Sequence, residues 1–347
     1  MSWGIIIMEK KSKKHTVRNL LFFLLLLAIT LWIILRDQSI TQILDIIKGV
    51  KIEYILIGVV CMIAYILLEA VNIGRTLKAL GEQSKFIKNV KYALIGFFFS
   101  SITPAASGGQ PMQVYYMHKE KISVANSTLA LLINLTSMQI ITISFALISL
   151  CFNSQYLNTA LVIFFIIGIS LNIMALALLI IGIFSKRLSK WLVKVTIKIL
   201  KVFKMKNIEE KQEKFEKELT KYQYSAKYIK ENKGLILKTL FTTAIQFFIF
   251  YSITYWTYRS FGFNEKNILE LVAMQSVLYG TVSGIPSPGA VGASEGAFIE
   301  IFRNVYSGGM IKSATLLNRG INFYLFVLIS GFVVIINDLK GSNGENK

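Results

Sequence analysis

Four ionisable side chains stand inside long apolar stretches: Glu69 and Arg75 in the first half of the chain, Glu295 and Arg319 in the second. A charge in lipid costs at least about 2.5–3.5 kcal/mol, so such residues pair with one another or face a cavity, and they mark functional positions. Glu69, Asn72 and Arg75 recur at every third position and share one helix face. Arg319 lies nine residues into the apolar run 311–336, about 13 Å at 1.5 Å per residue. It is too deep to reach water, whereas Arg75 has the alternative of snorkelling to the interface. Glu295 is the expected partner of Arg319. The guanidinium suits a lipid phosphate and the carboxylate a cationic headgroup. The competing reading is a structural ion pair, and the two uses are compatible. Asn134 and Asn318 add neutral hydrogen-bonding groups within apolar sequence.

Two stretches interrupt this sequence with helix breakers. Thr103-Pro-Ala-Ala-Ser-Gly-Gly-Gln-Pro111 holds Pro104 and Pro111. Ser283-Gly-Ile-Pro-Ser-Pro-Gly-Ala-Val-Gly-Ala-Ser-Glu-Gly296 holds Pro286 and Pro288, the only other prolines, together with Gly289 and Gly292. Proline removes a backbone donor and clashes with the preceding turn. Broken backbone at membrane depth is tolerated only where protein or a water-filled cavity receives its polar groups. In transporters such discontinuous helices meet substrate and ions. Ser107, Gly108, Gly109 and Gln110 offer backbone N–H groups and an amide to a phosphate oxygen; close helix packing through small residues is the alternative.

The elements that must position these groups are membrane spans. The chain is 54% hydrophobic and 16% charged, against about 45–50% and about 25% in soluble domains. Apolar windows of spanning length follow one another, so the fold class is all-α and polytopic. The net charge of +19 is concentrated in loops between spans, as on the inner side of membrane proteins, and nucleic acid is not expected as a partner. Cys61 and Cys151 read as small buried hydrophobes, and His15 and His118 are far apart, so neither metal nor cofactor is expected. His-Glu-x-x-His, Walker A and Gly-x-Ser-x-Gly motifs are absent.

Residues 1–19 form a basic cytoplasmic end, with Met8 as an alternative start to Met1. About six full spans follow (20–35, 52–74, 124–150, 159–184, 235–258 and 311–336), with two broken hairpins between them. Residues 20–184 make the first membrane half and 235–337 the second. Between them, 185–234 carries fifteen basic and six acidic residues. There Leu188, Trp191, Leu192, Val195, Ile199 and Val202 oppose Lys190, Lys194, Lys198 and Lys201 on a basic amphipathic helix suited to an anionic membrane surface; a partner-binding helix is the alternative. A second helical pattern, at Phe215, Leu219, Tyr222, Ala226 and Ile229, completes a cytoplasmic hairpin. Residues 338–347 read as a disordered tail.

A constant offset of 184 lays Pro104 on Pro288, Gly108 on Gly292, Asn134 on Asn318 and Arg75 on Arg259. The unit of span, broken hairpin and span therefore occurs twice, over 52–150 and 235–336. The basic loops start one unit outside and the other inside, which makes the repeat inverted.

The stretches 103–111 and 286–296, with Asn-Arg-Gly-Ile-Asn-Phe-Tyr at 318–324 and the Glu69, Asn72, Arg75 cluster, resemble the lysylphosphatidylglycerol synthase transmembrane region, also called the flippase-like family. The resemblance covers about residues 15 to 338. It implies a bacterial plasma membrane protein, with both termini cytoplasmic, that moves lysyl- or alanyl-phosphatidylglycerol between leaflets. Larger family members add a soluble domain that transfers the amino acid from aminoacyl-tRNA. This sequence ends at Lys347 without it, so that activity is not expected of the chain alone. Membrane phospholipids are the expected partners, and a separate lipid-synthesis enzyme and a homo-oligomer are compatible with the resemblance. A flippase for a glycolipid or polyprenyl-linked lipid, aminoacyl-tRNA-dependent lipid modification and a structural membrane subunit are the other readings.

Overall fold

A computed structural model of the protein describes residues 45–153, 159–187, 191, 194–195, 208–307 and 309–344. The expected span 20–35 and most of the basic amphipathic helix at 188–202 lie outside these residues, as does the side chain of Cys151. In chain order the helices are α1 (Ile52–Ala79), α2 (Phe86–Ile102), α3 (Gly109–Lys119), α4 (Val124–Asn153), α5 (Thr159–Phe184), α6 (Ile208–Glu231), α7 (Lys233–Ser260), α8 (Ile268–Val282), α9 (Ala293–Phe302), α10 (Ile311–Arg319) and α11 (Leu325–Gly344). The chain is an all-α, polytopic membrane protein. Among the described residues five helices are long and apolar enough to cross a membrane: α1, α4, α5, α7 and the continuous run Ile311–Asn337.

On α1 one stripe is exposed, through Ile52, Leu56, Val60, Ile63, Leu67 and Val71, while Met62, Ile66, Ala70, Ile73 and Leu77 are buried. An apolar stripe at helical spacing left uncovered on a membrane helix is the surface that lipid covers. Lipid gives no hydrophobic drive for helices to associate, so packing and interhelical hydrogen bonds hold them. Antiparallel α1 and α7 are tied at both ends. The Lys51 N–H donates to the Ser260 carbonyl at 2.9 Å, and Arg75 Nη1 donates to the Lys238 carbonyl at 2.8 Å. Between the ties lies an aromatic cluster of Tyr65, Phe247, Phe250, Tyr251 and Tyr279. Helix α4 joins through Phe145 on Tyr251, with ring centroids 5.7 Å apart.

Helix α6 lies across the ends of three membrane helices. Glu218 Oε2 accepts from the Ala125 N–H at 3.0 Å and from Ser123 Oγ at 3.2 Å, which supplies α4 with a cap from another helix. Tyr222 Oη donates to the Gly182 carbonyl at 2.9 Å. Burial pushes this hydroxyl up to about 12, so it remains a donor at neutral pH. Ser225 donates to Asn126 Oδ1, and Lys221 pairs with Glu82 at 3.3 Å. The apolar spacing expected here places Ala226 and Ile229 in a buried cluster with Leu129, Ile133, Ile183 and Leu235. At Asn232 the chain turns directly into α7, whose Leu235 N–H the Asn232 side chain caps at 3.1 Å.

Two expectations about the last span change. It is not one regular α-helix, because Gly320–Tyr324 forms a π turn in which the Leu325 N–H bonds the Gly320 carbonyl. The expected disordered tail from 338 is helical as far as Gly344. Once a span is formed, each added residue gains a bond at little cost, and single glycines, at about 1 kcal/mol each, do not stop it at the membrane edge.

Candidate functional site: a buried ion pair behind paired helix breaks

Helix α8 ends at Val282, and the chain turns through Pro286 into a single 3₁₀ turn, Pro288–Ala290. Gly289 there has φ 59°, and a Cβ at this position would fall 2.1 Å from Phe323 Cζ. The left-handed backbone favours glycine here, and the ring leaves no room for a side chain. Gly292, at φ 86°, precedes α9, and its N–H donates to Glu295 Oε2 at 2.7 Å. This is the reach-back half of a capping box. The other carboxylate oxygen faces the last span. Glu295 Oε1 accepts from Arg319 Nε at 2.8 Å and from Tyr324 Oη at 2.7 Å.

Arg319 also donates through Nη2 to the Gly289 carbonyl at 3.0 Å. Its guanidinium lies over the Phe323 ring, 4.2 Å from the centroid. Glu295 is 1% exposed and the Arg319 side chain 12%. The carboxylate sits in the first turn of α9, at the helix end that favours its charge. The pairing expected from sequence is thus present, and Arg319 also holds the broken backbone in place.

The first break has the same pair of left-handed residues, although Gly108 at φ −86° and Gly292 at φ 86° differ beyond it. Helix α2 ends at Ile102, and Pro104–Ala106 forms a 3₁₀ turn with Ala105 at φ 50° and Ala106 at φ 54°. It packs directly against Pro288–Ala290. Thr103 closes it, donating to the Phe99 carbonyl at 2.6 Å and accepting from the Gly108 N–H at 2.9 Å. The Ser107 N–H bonds the Pro104 carbonyl at 3.1 Å. The backbone donors at Ser107 and Gly108, expected for a phosphate, are therefore already engaged within the turn. Ser107 is exposed, Gly109 is buried and Gln110 is half-buried in the first turn of α3. Pro111 is not a break. It is the third residue of α3, where its missing N–H is one that a helix start leaves unbonded anyway.

Glu69, Asn72 and Arg75 share a face but not a bond network. Asn72 Oδ1 accepts from Arg75 Nη1 at 2.8 Å, and Asn72 Nδ2 donates to Thr243 Oγ1 at 3.0 Å. With the Lys238 contact this fixes Arg75 between α1 and α7. Glu69 lies a turn further into α1, half-buried, with the Gln113 side chain as its hydrogen-bonding neighbour. Asn134 Oδ1 accepts from Thr76 at 3.3 Å, and Asn318 Oδ1 from Thr257 at 3.3 Å. Asn134 thus joins α4 to α1, and Asn318 joins α10 to α7.

Three groups at these sites escape a sequence reading. Gln113, 2% exposed, donates to the Tyr92 carbonyl at 3.0 Å and fills the space that a side chain on Gly96 would take, 2.3 Å from its Nε2. Its spacing of three from Gln110 is the one available signal. Tyr324 lies five residues from Arg319, off its face in a regular helix. Tyr279 shows only as an aromatic in apolar sequence, yet Glu69 and Arg319 both act on it electrostatically.

Fold and site together define a polytopic membrane protein with two touching helix breaks and a buried ion pair behind one of them. The chain belongs to the lysylphosphatidylglycerol synthase TM region family, whose model matches residues 19–330. No curated protein matches it.

Proposed function

We propose that the chain is a lipid flippase, moving an anionic or aminoacylated phospholipid such as lysyl-phosphatidylglycerol between leaflets. The observation that carries this reading is the contact between the two helix breaks, with the Glu295–Arg319 pair immediately behind it. Discontinuous helices meeting among spans are where transporters bind charged cargo. In this reading the breaks are the tips of two re-entrant hairpins in an inverted repeat, entering from opposite leaflets, and the expected sixth span completes the bundle. Three relations support the repeat at an offset of 184. The left-handed residues Ala105 and Ala106 correspond to Gly289 and Ala290, at φ 59° and 51°. Helix α3 starts at Gly109 and α9 at Ala293. The corresponding helices α1 and α7 pack antiparallel, as inversion demands.

Headgroup exchange follows from the charges. A lipid phosphate takes Arg319 from Glu295, and the freed carboxylate takes the ammonium of an aminoacylated headgroup. Glu69, Asn72, Arg75, Gly109, Gln110, Asn134 and Asn318 belong to the polar path between the two halves in this reading. The protein sits in the bacterial plasma membrane with both termini cytoplasmic. A glycolipid or polyprenyl-linked cargo uses the same path with less demand on Glu295. Aminoacyl-tRNA-dependent lipid modification, by the chain alone or with a soluble partner, is the other reading that the family offers. A second reading, a structural subunit, is favoured by the complete internal satisfaction of Glu295.

Transbilayer movement in proteoliposomes of the purified protein tests these readings. Labelled lysyl-phosphatidylglycerol, phosphatidylglycerol and a glycolipid are offered, with Arg319→Ala as control. Accelerated movement of one lipid, lost in the variant, supports the flippase and names its cargo. No acceleration with any lipid, under an imposed ion gradient, favours the subunit.

A further inference from the structure

The Glu295 carboxylate among the spans has a counter-charge, and among the described residues that of Glu69 has none. Glu69 is the eighteenth of the 28 residues of α1, well inside the apolar run. Among the described residues no lysine, arginine or histidine pairs with it. Its neighbours are neutral: the Gln113 amide from α3, Tyr65 one turn earlier on its own helix, and Tyr279 from α8. From α7, Tyr251 stands in the ring cluster with Tyr65 and Tyr279. From α4, Asn134 bonds Thr76 on α1 and Phe145 packs on Tyr251, neither of them ionisable. On α2, Tyr92 offers its carbonyl to Gln113. Two cations lie within longer reach, and both are committed elsewhere. Arg75 is bonded to Asn72 and to the Lys238 carbonyl, and Arg319 to Glu295 and the Gly289 carbonyl.

An ionised carboxylate without a counter-ion in a low-dielectric site takes up a proton rather than remain charged. We propose that Glu69 is a proton-carrying site: its carboxyl holds a proton in this arrangement and releases it when the bundle rearranges, so that lipid movement is coupled to proton movement. The exchange balances simply. The carboxyl O–H bond breaks, water on the accessible side accepts the proton as hydronium, and the carboxylate recovers a proton from hydronium on the other side. The bundle covers Glu69 only in part, and in this proposal the exchange with water takes place at that uncovered part. The touching tips of the two breaks are the element whose rearrangement changes it. The protonated site stands on the geometry alone, while its coupling to lipid rests on the flippase reading.

Infrared difference spectroscopy of the purified protein in phosphatidylglycerol nanodiscs tests the first part. At neutral pH a protonated-carboxyl C=O band is expected. It should vanish in Glu69→Gln, persist in Glu295→Gln, and move without vanishing in Glu69→Asp, which guards against a folding defect. No such band in the folded wild type, or a band removed by Glu295→Gln instead, overturns the proposal. The second part uses proteoliposomes with labelled lysyl-phosphatidylglycerol and an imposed gradient of about one pH unit, which drives up to about tenfold accumulation per proton moved. Accumulation that follows the gradient and is lost in Glu69→Gln supports coupling. Lipid movement indifferent to the gradient overturns coupling and leaves the flippase intact. The band without lipid movement overturns the flippase, and with it the coupling, and leaves the protonated carboxyl established.

Discussion

Arg319 and Tyr324 lie five residues apart and donate to the same carboxylate oxygen, Oε1 of Glu295. On a regular α-helix, residues five apart point about 140° away from each other. The π turn Gly320–Tyr324 removes most of that angle by adding one residue to the turn. The same turn presents Phe323 to both the guanidinium and the Gly289 backbone. One local irregularity therefore joins the last span to the second break.

If the Tyr324 hydroxyl is a working member of this cluster, Tyr324→Phe removes one of the two donors on Oε1 and leaves the ring. A hydrogen bond to a charged group is worth about 1.5–3 kcal/mol, and a loss of that size is expected in denaturant unfolding in detergent. A change well below that range would mean that Arg319 alone satisfies the oxygen.

Removing one charge of the pair should cost far more than removing both. Glu295→Gln leaves a buried, uncompensated guanidinium, for which about 3–5 kcal/mol of destabilisation is expected. The double variant Glu295→Gln, Arg319→Met should recover most of it. If the pair is only a lock, the double variant also recovers lipid movement. If the charges bind headgroup, it folds and moves no lipid.

The membrane class, the five described spans and the Glu295–Arg319 pairing were legible because apolar length and stranded charges are properties of sequence alone. Asn72 and Arg75 were found as a face, yet their partners Thr243 and Lys238 come from a helix more than 160 positions away, which spacing cannot reveal. Pro111 misled because proline breaks a helix interior but suits a helix start, and the start at Gly109 follows from the turn before it. Tyr324 stayed hidden because 3.6-residue periodicity assigns it to the wrong face. The donors of Ser107 and Gly108 looked free because nothing in the motif says that Thr103 and Pro104 claim them.

The two turns make opposite demands at corresponding positions. Gly289→Ala places a methyl group against Phe323 and adds left-handed strain, so overpacking of about 1–3 kcal/mol is expected. Ala105 already bears the left-handed cost, about 1–2 kcal/mol for an L-residue, so Ala105→Gly should be neutral or stabilising. Thermal unfolding of the two variants side by side checks the contrast. Equal destabilisation would mean that the turns are not equivalent in the folded protein.

Glu218 caps α4 from outside its own helix, and its loss should free α6 before it disturbs the bundle. Glu218→Ala is expected to cost about 0.5–2 kcal/mol, as other lost caps do. It should also open the segment 208–231 to limited proteolysis while the membrane helices stay protected. Unchanged cleavage would place the anchoring of α6 on Tyr222 and Ser225 instead.

Acid should loosen the end of α3 at a lower pH than an ordinary glutamate would set. Burial acts to raise the Glu120 carboxyl, but the ammonium groups of Lys88 and Lys91 beside it outweigh burial and hold the group below its ordinary 4.5. The pair with Lys88 measures 2.8 Å, and Lys91, which also pairs with Glu120, reaches Asn337 Oδ1 at 3.3 Å. The contact thus ties the loop after α3 to the last span. Because the folded-state value is depressed, its stabilisation is fully present above the ordinary carboxylate value and is lost as pH falls through the lowered one. Amide exchange over residues 119–124 should therefore be steady from neutral pH down to the ordinary value, after correction for intrinsic rates, and should rise only below it. In Glu120→Gln the protection should be weak at every pH and the acid step absent. A step in the wild type above the ordinary value would show that the lysines do not hold Glu120 ionised.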